Sequence, residues 1–167
     1  MEIWDLYTKE RILTSKSHVR GEIIPDGYYH LVVHVWIVNS KGEFLISKRS
    51  ETRPTFPLYW ECVGGSVLKG ENSLEGAIRE TKEEIGIDLD KTKGKIIHTK
   101  IRKNDIMDAW LFHYNGDISL SNATTDEVCE CRWMSLCEIE KLMKYGQFVP
   151  TLDYFLSLEK IMTIKNS

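Results

Sequence analysis

The sequence is poor in cysteine and proline, has no long apolar run and carries almost no excess charge. Its 167 residues include four cysteines, Cys62, Cys129, Cys131 and Cys137, too few for the fold of so long a chain to depend on disulfide staples. Cys129 and Cys131 could begin a metal site, but zinc ligand pairs are usually separated by two to four residues, and no second pair stands out. They read instead as small side chains on one face of a strand. A net charge of −3 gives no electrostatic footprint for nucleic acid or an anionic membrane. The longest apolar run, near "LVVHVWIV" (31–38), is far shorter than the roughly 20 residues that cross a bilayer as a helix. The opening residues, "MEIWDLYTKE", lack a basic region followed by an apolar core, so no secretory leader is visible. The expectation is a cytoplasmic protein with reduced thiols and neither nucleic acid nor membrane as a partner.

What is present is the composition of a soluble globular protein, 42% hydrophobic and 28% charged. The length suggests one domain over residues 1–167 with a real core. A short strand is expected at 2–8 and a polar segment from 9 to 27 ending in the turn signal Pro25-Asp26-Gly27, so that 1–27 reads as an N-terminal extension. Residues 28–39 are rich in β-branched and aromatic side chains and predict a buried strand, with 44–50 returning as its hairpin partner. Further strands are expected at 59–65, 93–102, 106–116 and 127–135, and helices at about 73–84, 136–146 and 151–164. Strands and helices are mixed without regular alternation, which predicts an α+β class rather than a doubly wound sheet.

The helix expected at 73–84 carries a conflict. Asn72 and Glu75 have the spacing of a capping box, Leu74, Ile78, Thr81 and Ile85 form an apolar stripe, and Gly86 suits a left-handed cap. Yet Glu80, Glu83 and Glu84 share one face, where like charges repel by a few tenths of a kcal/mol per pair. These glutamates belong to a longer pattern: Gly65, five residues, Glu71, seven residues, then Arg79-Glu80-Thr81-Lys82-Glu83-Glu84-Ile85-Gly86-Ile87. That pattern resembles the Nudix box, G-x5-E-x7-R-E-U-x-E-E-x-G-U with U a bulky aliphatic residue. Eight of its nine specified positions, across 23 residues, agree, and Thr81 at the first U is the one soft departure. The resemblance extends over most of residues 28–145.

The resemblance implies a Nudix fold, an α/β/α sandwich around a mixed sheet. It implies Mg²⁺, replaceable by Mn²⁺, held by Glu80, Glu83, Glu84 and the backbone carbonyl of Gly65, with Glu71 pairing Arg79 to fix the loop against the helix. A cation would relieve the repulsion among the three glutamates and would activate water against a pyrophosphate. Glu127 falls in a familiar "E-V-x-E-x-x-W" slot and is a candidate base beside Asp126 and Glu130, with Glu83 or Glu84 as alternatives. The catalytic set expected is therefore Glu71, Arg79, Glu83, Glu84 and Glu127. For the substrate, Trp36 could stack on a base, although core packing is the commoner fate of a strand tryptophan. Arg49 and Arg53 could meet phosphates, or line a solvated edge.

The function implied is Mg²⁺-dependent hydrolysis of a nucleoside diphosphate linked to another group X, with a homodimer left open. The N-terminal half also resembles isopentenyl-diphosphate isomerase, a Nudix-fold enzyme. The positions matching that enzyme's cysteine and nearby histidine are Gly64 and Ser66, and Cys62 lies two residues early. A non-catalytic nucleotide-binding module is the remaining alternative. Such modules often lose box glutamates, and all are kept here.

Overall fold

In the computed structural model, residues 1–158 are described. The chain begins with an antiparallel hairpin, β1 (Ile3–Tyr7) and β2 (Leu13–Val19), which forms its own two-stranded sheet. The main sheet has seven strands: β3 (His30–Val38), β4 (Phe44–Arg49), β5 (Trp60–Glu61), β6 (Val63–Ser66), β7 (Lys95–Ile101), β8 (Asp105–His113) and β9 (Val128–Met134). It is mixed. β3 runs parallel to β8 in unbroken register from His30↔Asp105 to Val38↔His113, whereas its other pairings, with β4 and β6, are antiparallel. Among the described residues the sheet is accompanied by α1 (Ser73–Ile85), α2 (Leu136–Lys144) and a helical segment at 155–158.

Period-two alternation along β3 explains the layers. Leu31, Val33, Val35 and Ile37 join Ala77 and Ile85 of α1 in one core, while Trp36 and Val38 join Ile139 of α2 in the other. A sheet covered on both faces needs strands that are apolar on both sides, and eight of the nine β3 residues are buried. This is the α/β/α arrangement of an α+β chain that the sequence predicts.

α1 has the expected ends. Asn72 accepts from the Glu75 amide (3.0 Å), the Glu75 carboxylate accepts from the Asn72 amide (2.8 Å), and Gly86 closes the helix at φ +72°. Its buried side is broader than the predicted stripe. Ser73, Ala77, Thr81, Glu84 and Ile85 are buried, while Leu74 and Ile78 are half-buried at the margin of the core. Thr81 is fully enclosed and returns its hydroxyl to the Ala77 carbonyl (2.8 Å), so the soft position of the box is a packing position.

Three expectations change. β2 was not anticipated, because Thr14, Ser15, Lys16 and Ser17 show no apolar face; its ladder to β1 and the burial of His18 alone define it. The single strand expected at 59–65 is two, broken at Cys62, because β5 pairs with β4 and β6 pairs with β3. The helix expected at 151–164 begins with a 3-10 turn at Pro150–Leu152 and is helical at 155–158; residues 159–164 lie outside the described residues.

The hairpin is fixed to the body by a buried carboxylate. Asp108, on β8 and fully enclosed, accepts from both terminal guanidinium nitrogens of Arg11, from Ser73 Oγ and from Thr99 Oγ1 (2.8 Å). Trp110 Nε1 completes the network by donating to Ser73 Oγ (2.9 Å). Arg11 sits in the hairpin turn at φ +63°, a conformation that disfavours a residue with a Cβ, so the ion pair offsets local strain. Burial alone would raise the Asp108 pKa, but the hydrogen bonds from Arg11, Ser73 and Thr99 outweigh it and hold the group below the usual carboxylate value. Removing the carboxylate strips an acceptor from the buried Ser73 and from Thr99 and leaves a guanidinium that is 37% exposed, at a cost of about 1–3 kcal/mol. Asp108→Ala is therefore expected to lower the unfolding free energy by about that amount at neutral pH, read by equilibrium urea denaturation. The depressed folded-state pKa means that the wild-type contribution is present above the unfolded-chain value and is lost as pH falls through the folded one. The gap between the two proteins should narrow in acid.

Candidate active site

The loop from Ser66 to Glu71 and the helix after it are held together by one guanidinium. Arg79 donates through Nε to Glu71 Oε1 (2.8 Å) and through Nη2 to Glu71 Oε2 (3.1 Å) and the Ser66 carbonyl (2.9 Å). Its Nη1 reaches Glu80 Oε1 and Glu83 Oε2, both at 3.0 Å. Glu71 also accepts from the Leu68 amide (3.0 Å), which pins the loop's own turn. The pairing expected between Glu71 and Arg79 is thus present, in bidentate form.

Glu84 accepts no hydrogen bond from Arg79. It is 4% exposed, and its Oε2 is buried without a hydrogen-bond partner. Burial raises its pKa well above the carboxylate value, and the charges of Glu80, Glu61 and Glu127 raise it further. Glu80 is raised to about 7, chiefly by burial, against the lowering effect of Arg79. An unpaired buried carboxylate is costly, and the arrangement tolerates three carboxylates only because Arg79 neutralises part of their charge.

Opposite the helix, Gly65 approaches so closely that a Cβ there would lie 2.3 Å from the Glu80 carboxyl carbon. The segment before β9 docks on the last turn of α1, where the amides of Thr124 (2.9 Å) and Thr125 (3.2 Å) donate to the Glu83 carbonyl. The Ser50 amide binds the Glu127 carbonyl (2.8 Å). These backbone contacts bring Glu127 to the cleft, paired with Arg53 Nη1.

The resulting cleft, about 140 Å³, gathers most of the predicted residues: Gly65, Arg79, Glu80, Glu83, Glu84, Glu127 and Arg53 all line it. Glu71 stands behind Arg79. Two predicted substrate residues are elsewhere. Trp36 is fully buried, stacked on Phe155 (ring centroids 3.7 Å apart), with its indole N–H bonded to Tyr154 Oη (3.0 Å); no face of it is open to a base. Arg49 is 7% exposed and spends its guanidinium on Glu61 Oε1 (2.7 Å) and on Thr55, leaving nothing for a phosphate. Sequence reasoning missed Glu61, whose only signal is an acid between the apolar Trp60 and Cys62. It also missed Glu2 and Arg20, which come to the cleft from the hairpin and carry no local signal.

The site suits a divalent cation on three counts. Glu84 Oε2 is orphaned, Gly65 leaves room that a side chain would fill, and the donors are all oxygen. Among the described residues, no three acidic, cysteine or histidine side chains already converge as a ligand set, since Glu80 and Glu83 are turned to Arg79.

A model of the NUDIX domain matches residues 28–154. A protein named as an uncharacterised Nudix hydrolase of Listeria innocua is 41% identical, covering 100% of this chain and 97% of its own length. The isopentenyl-diphosphate Δ-isomerase of Shigella boydii is 23% identical over 68% of this chain and 66% of that one. Among solved structures, the MutT protein of Methanosarcina mazei superposes with a TM-score of 0.60 at 29% identity, covering 79% of this chain and 94% of that one. A Deinococcus radiodurans protein reaches 0.71 at 18% identity, covering 89% and 92%, which speaks to the fold alone.

Glu84→Gln is expected to stabilise the metal-free protein by about 1–3 kcal/mol in mildly alkaline buffer, because it removes a buried unpaired charge. The folded-state pKa lies above the unfolded one, so the wild-type penalty is absent below the unfolded value and grows as pH rises toward the folded value. The stabilisation should therefore vanish in acid, which denaturation across pH in a chelator would measure. Gly65→Ala should fold with little loss of stability, since the clash falls on the flexible end of Glu80. It should still weaken Mn²⁺ binding in calorimetry by about tenfold or more, because that carboxylate is displaced.

Proposed function

The chain belongs to the NUDIX family, and from that membership we propose that it hydrolyses a nucleoside diphosphate linked to a further group X, with Mg²⁺ as its cation and Mn²⁺ as a working substitute. The observation that carries the reading is the buried, unpartnered carboxylate oxygen of Glu84 beside the raised Glu80. Glu80, Glu83, Glu84 and the Gly65 carbonyl are the ligands we assign, with carboxylate oxygens redirected from Arg79 to the cation. When bound, the cation neutralises phosphate charge and makes a water more acidic.

The chain's own residues supply the rest. Glu71 positions Arg79, and Arg79 keeps the loop and helix at a fixed separation. Glu127 lines the cleft close enough for its charge to act on both Glu80 and Glu84; we assign it the proton of the attacking water. Arg53 beside it is assigned to a phosphate oxygen. The water oxygen bonds to phosphorus, the bond from that phosphorus to the bridging oxygen breaks, and the leaving phosphate takes up a proton. X is assigned to a second cavity of about 150 Å³, which shares Gly64 and Gly65 with the cleft and is lined further by Val32, His34, Val149 and Leu152. Burial lowers the His34 pKa to about 3, so it offers X a neutral imidazole. A cytoplasmic site of action fits the free cysteines.

The isomerase reading is weaker. Its cysteine would stand at Gly64, where a Cβ would lie 2.6 Å from the Val33 carbonyl oxygen, a contact that backbone cannot easily relieve. Cys62 itself is 2% exposed, and burial pushes its thiol well above the usual value.

The test is Mg²⁺-dependent turnover of a panel of nucleoside diphosphate compounds in ¹⁸O water. The label is expected in a phosphate-bearing product, with Glu84→Gln slowing the reaction by about a hundredfold or more. Binding without turnover would favour a regulatory module. Conversion of isopentenyl diphosphate to its allylic isomer, lost in Cys62→Ala, would make the protein an isomerase.

A further inference from the structure

The NUDIX-domain match begins at residue 28, so the β1–β2 hairpin lies wholly before it. Even so, Glu2 and Arg20 line the carboxylate cleft. The hairpin is anchored along its length. Arg11 grips Asp108 at the turn, the Trp4 ring stacks on His30 (centroids 4.1 Å apart), and the Lys69 amide donates to the Ile3 carbonyl (2.8 Å). The Gly70 amide donates to Asp5 Oδ2 (2.8 Å), so β1 is bound to the same loop that Glu71 and Arg79 organise. Beyond the last paired rung, Ile3↔Val19, the Arg20 amide donates to the Glu2 carbonyl (3.0 Å). Both side chains therefore leave the hairpin's open end at the mouth of the cleft.

Three guanidiniums reach this cleft, and they are not equivalent. Arg79 is 20% exposed and divided among Glu71, Glu80 and Glu83; Arg53 is 21% exposed and paired with Glu127. Arg20 is 56% exposed and pairs with Glu2, itself 41% exposed, at 2.7 Å. A solvent-facing pair of this kind contributes little to stability. A phosphate offers the guanidinium a stronger, bidentate partner.

We propose that Arg20 is a substrate-positioning residue that binds a phosphate oxygen of the diphosphate at the cleft mouth, and that Glu2 occupies it when no substrate is present. The identity of the substrate rests on the hydrolase reading above, but the clamp itself is a statement about phosphate binding. The sequence before the family domain thus supplies part of the recognition surface, and it should favour substrates whose phosphates extend toward the hairpin.

Calorimetric titration with α,β-methylene-ADP, whose bridging carbon resists hydrolysis, tests the clamp without turnover. Arg20→Ala should weaken binding about tenfold, Arg20→Lys should recover part of the loss because it restores charge but not the fork, and Glu2→Gln should tighten binding. Melting temperatures should stay unchanged, which separates the clamp from a role in holding the hairpin. In turnover, Arg20→Ala should raise KM about tenfold with kcat changed less than about twofold. Equal affinity of wild type and Arg20→Ala, or no binding to wild type, overturns the proposal. If the binding differences hold while no diphosphate is hydrolysed, the clamp stands and the hydrolase reading falls.

Discussion

The site depends on the guanidinium of Arg79. Its five nitrogen–oxygen contacts reach the loop through Ser66 and Glu71 and the helix through Glu80 and Glu83. Without that positive charge, three carboxylates on adjacent turns would repel one another inside a partly desolvated cleft, and the loop would lose the anchor that keeps Gly65 against Glu80. Arginine suits the position better than lysine because a planar fork can serve a bidentate carboxylate and two further acceptors at once. The neutralisation is incomplete. Glu84 has no guanidinium hydrogen-bonded to it and keeps an unsatisfied oxygen, the feature on which the cation assignment above rests.

A local deficit of this kind has to be offset by the rest of the molecule. Two features do so. The sheet is buried on both faces, so β3 contributes packing to two cores rather than one. The Asp108 network joins the hairpin, β7, β8 and the first residue of α1 through Arg11, Thr99, Trp110 and Ser73. It holds the N-terminal end of α1 fixed while Glu84 in the last turn keeps an unsatisfied oxygen. Stability and binding chemistry are thereby placed at opposite ends of one helix.

Much of this was legible because the relevant signals are local. The bounds of α1 follow from Asn72, Glu75 and Gly86, and the two-sided burial of β3 follows from its apolar residues, seven of nine, which fall on both faces. The spacing of Gly65, Glu71 and the glutamates lies within one loop and one helix and carries the resemblance, which in turn implies the roles expected of them. What was not legible depends on contacts distant in sequence. Trp36 is sealed by Phe155 and Tyr154, which arrive from the far end of the described chain. Arg49 turns to Glu61 rather than outward because β4 and β5 pair, placing Ser47 opposite Glu61. β2 has a polar sequence because it serves a hairpin outside the main sheet, and nothing in its composition reveals where Arg20, the residue after it, would be delivered.

The two glycines of β6 connect these levels. Gly64 and Gly65 line both the carboxylate cleft and the second cavity. A Cβ at Gly65 would strike Glu80, and one at Gly64 would strike the backbone of β3. Their bareness therefore does two things. It lets the strand lie close against β3, where Gly65 pairs with Val33 and Gly64 with His34, and it leaves no side chain at the two positions that both cavities share. A substrate bound as proposed, with its diphosphate among the glutamates and its remaining group toward His34, would lie against these two glycines. The same bareness removes the thiol that an isomerase would need at Gly64. The close approach that the two glycines permit is thus compatible with the two-part substrate proposed above and not with the isomerase alternative.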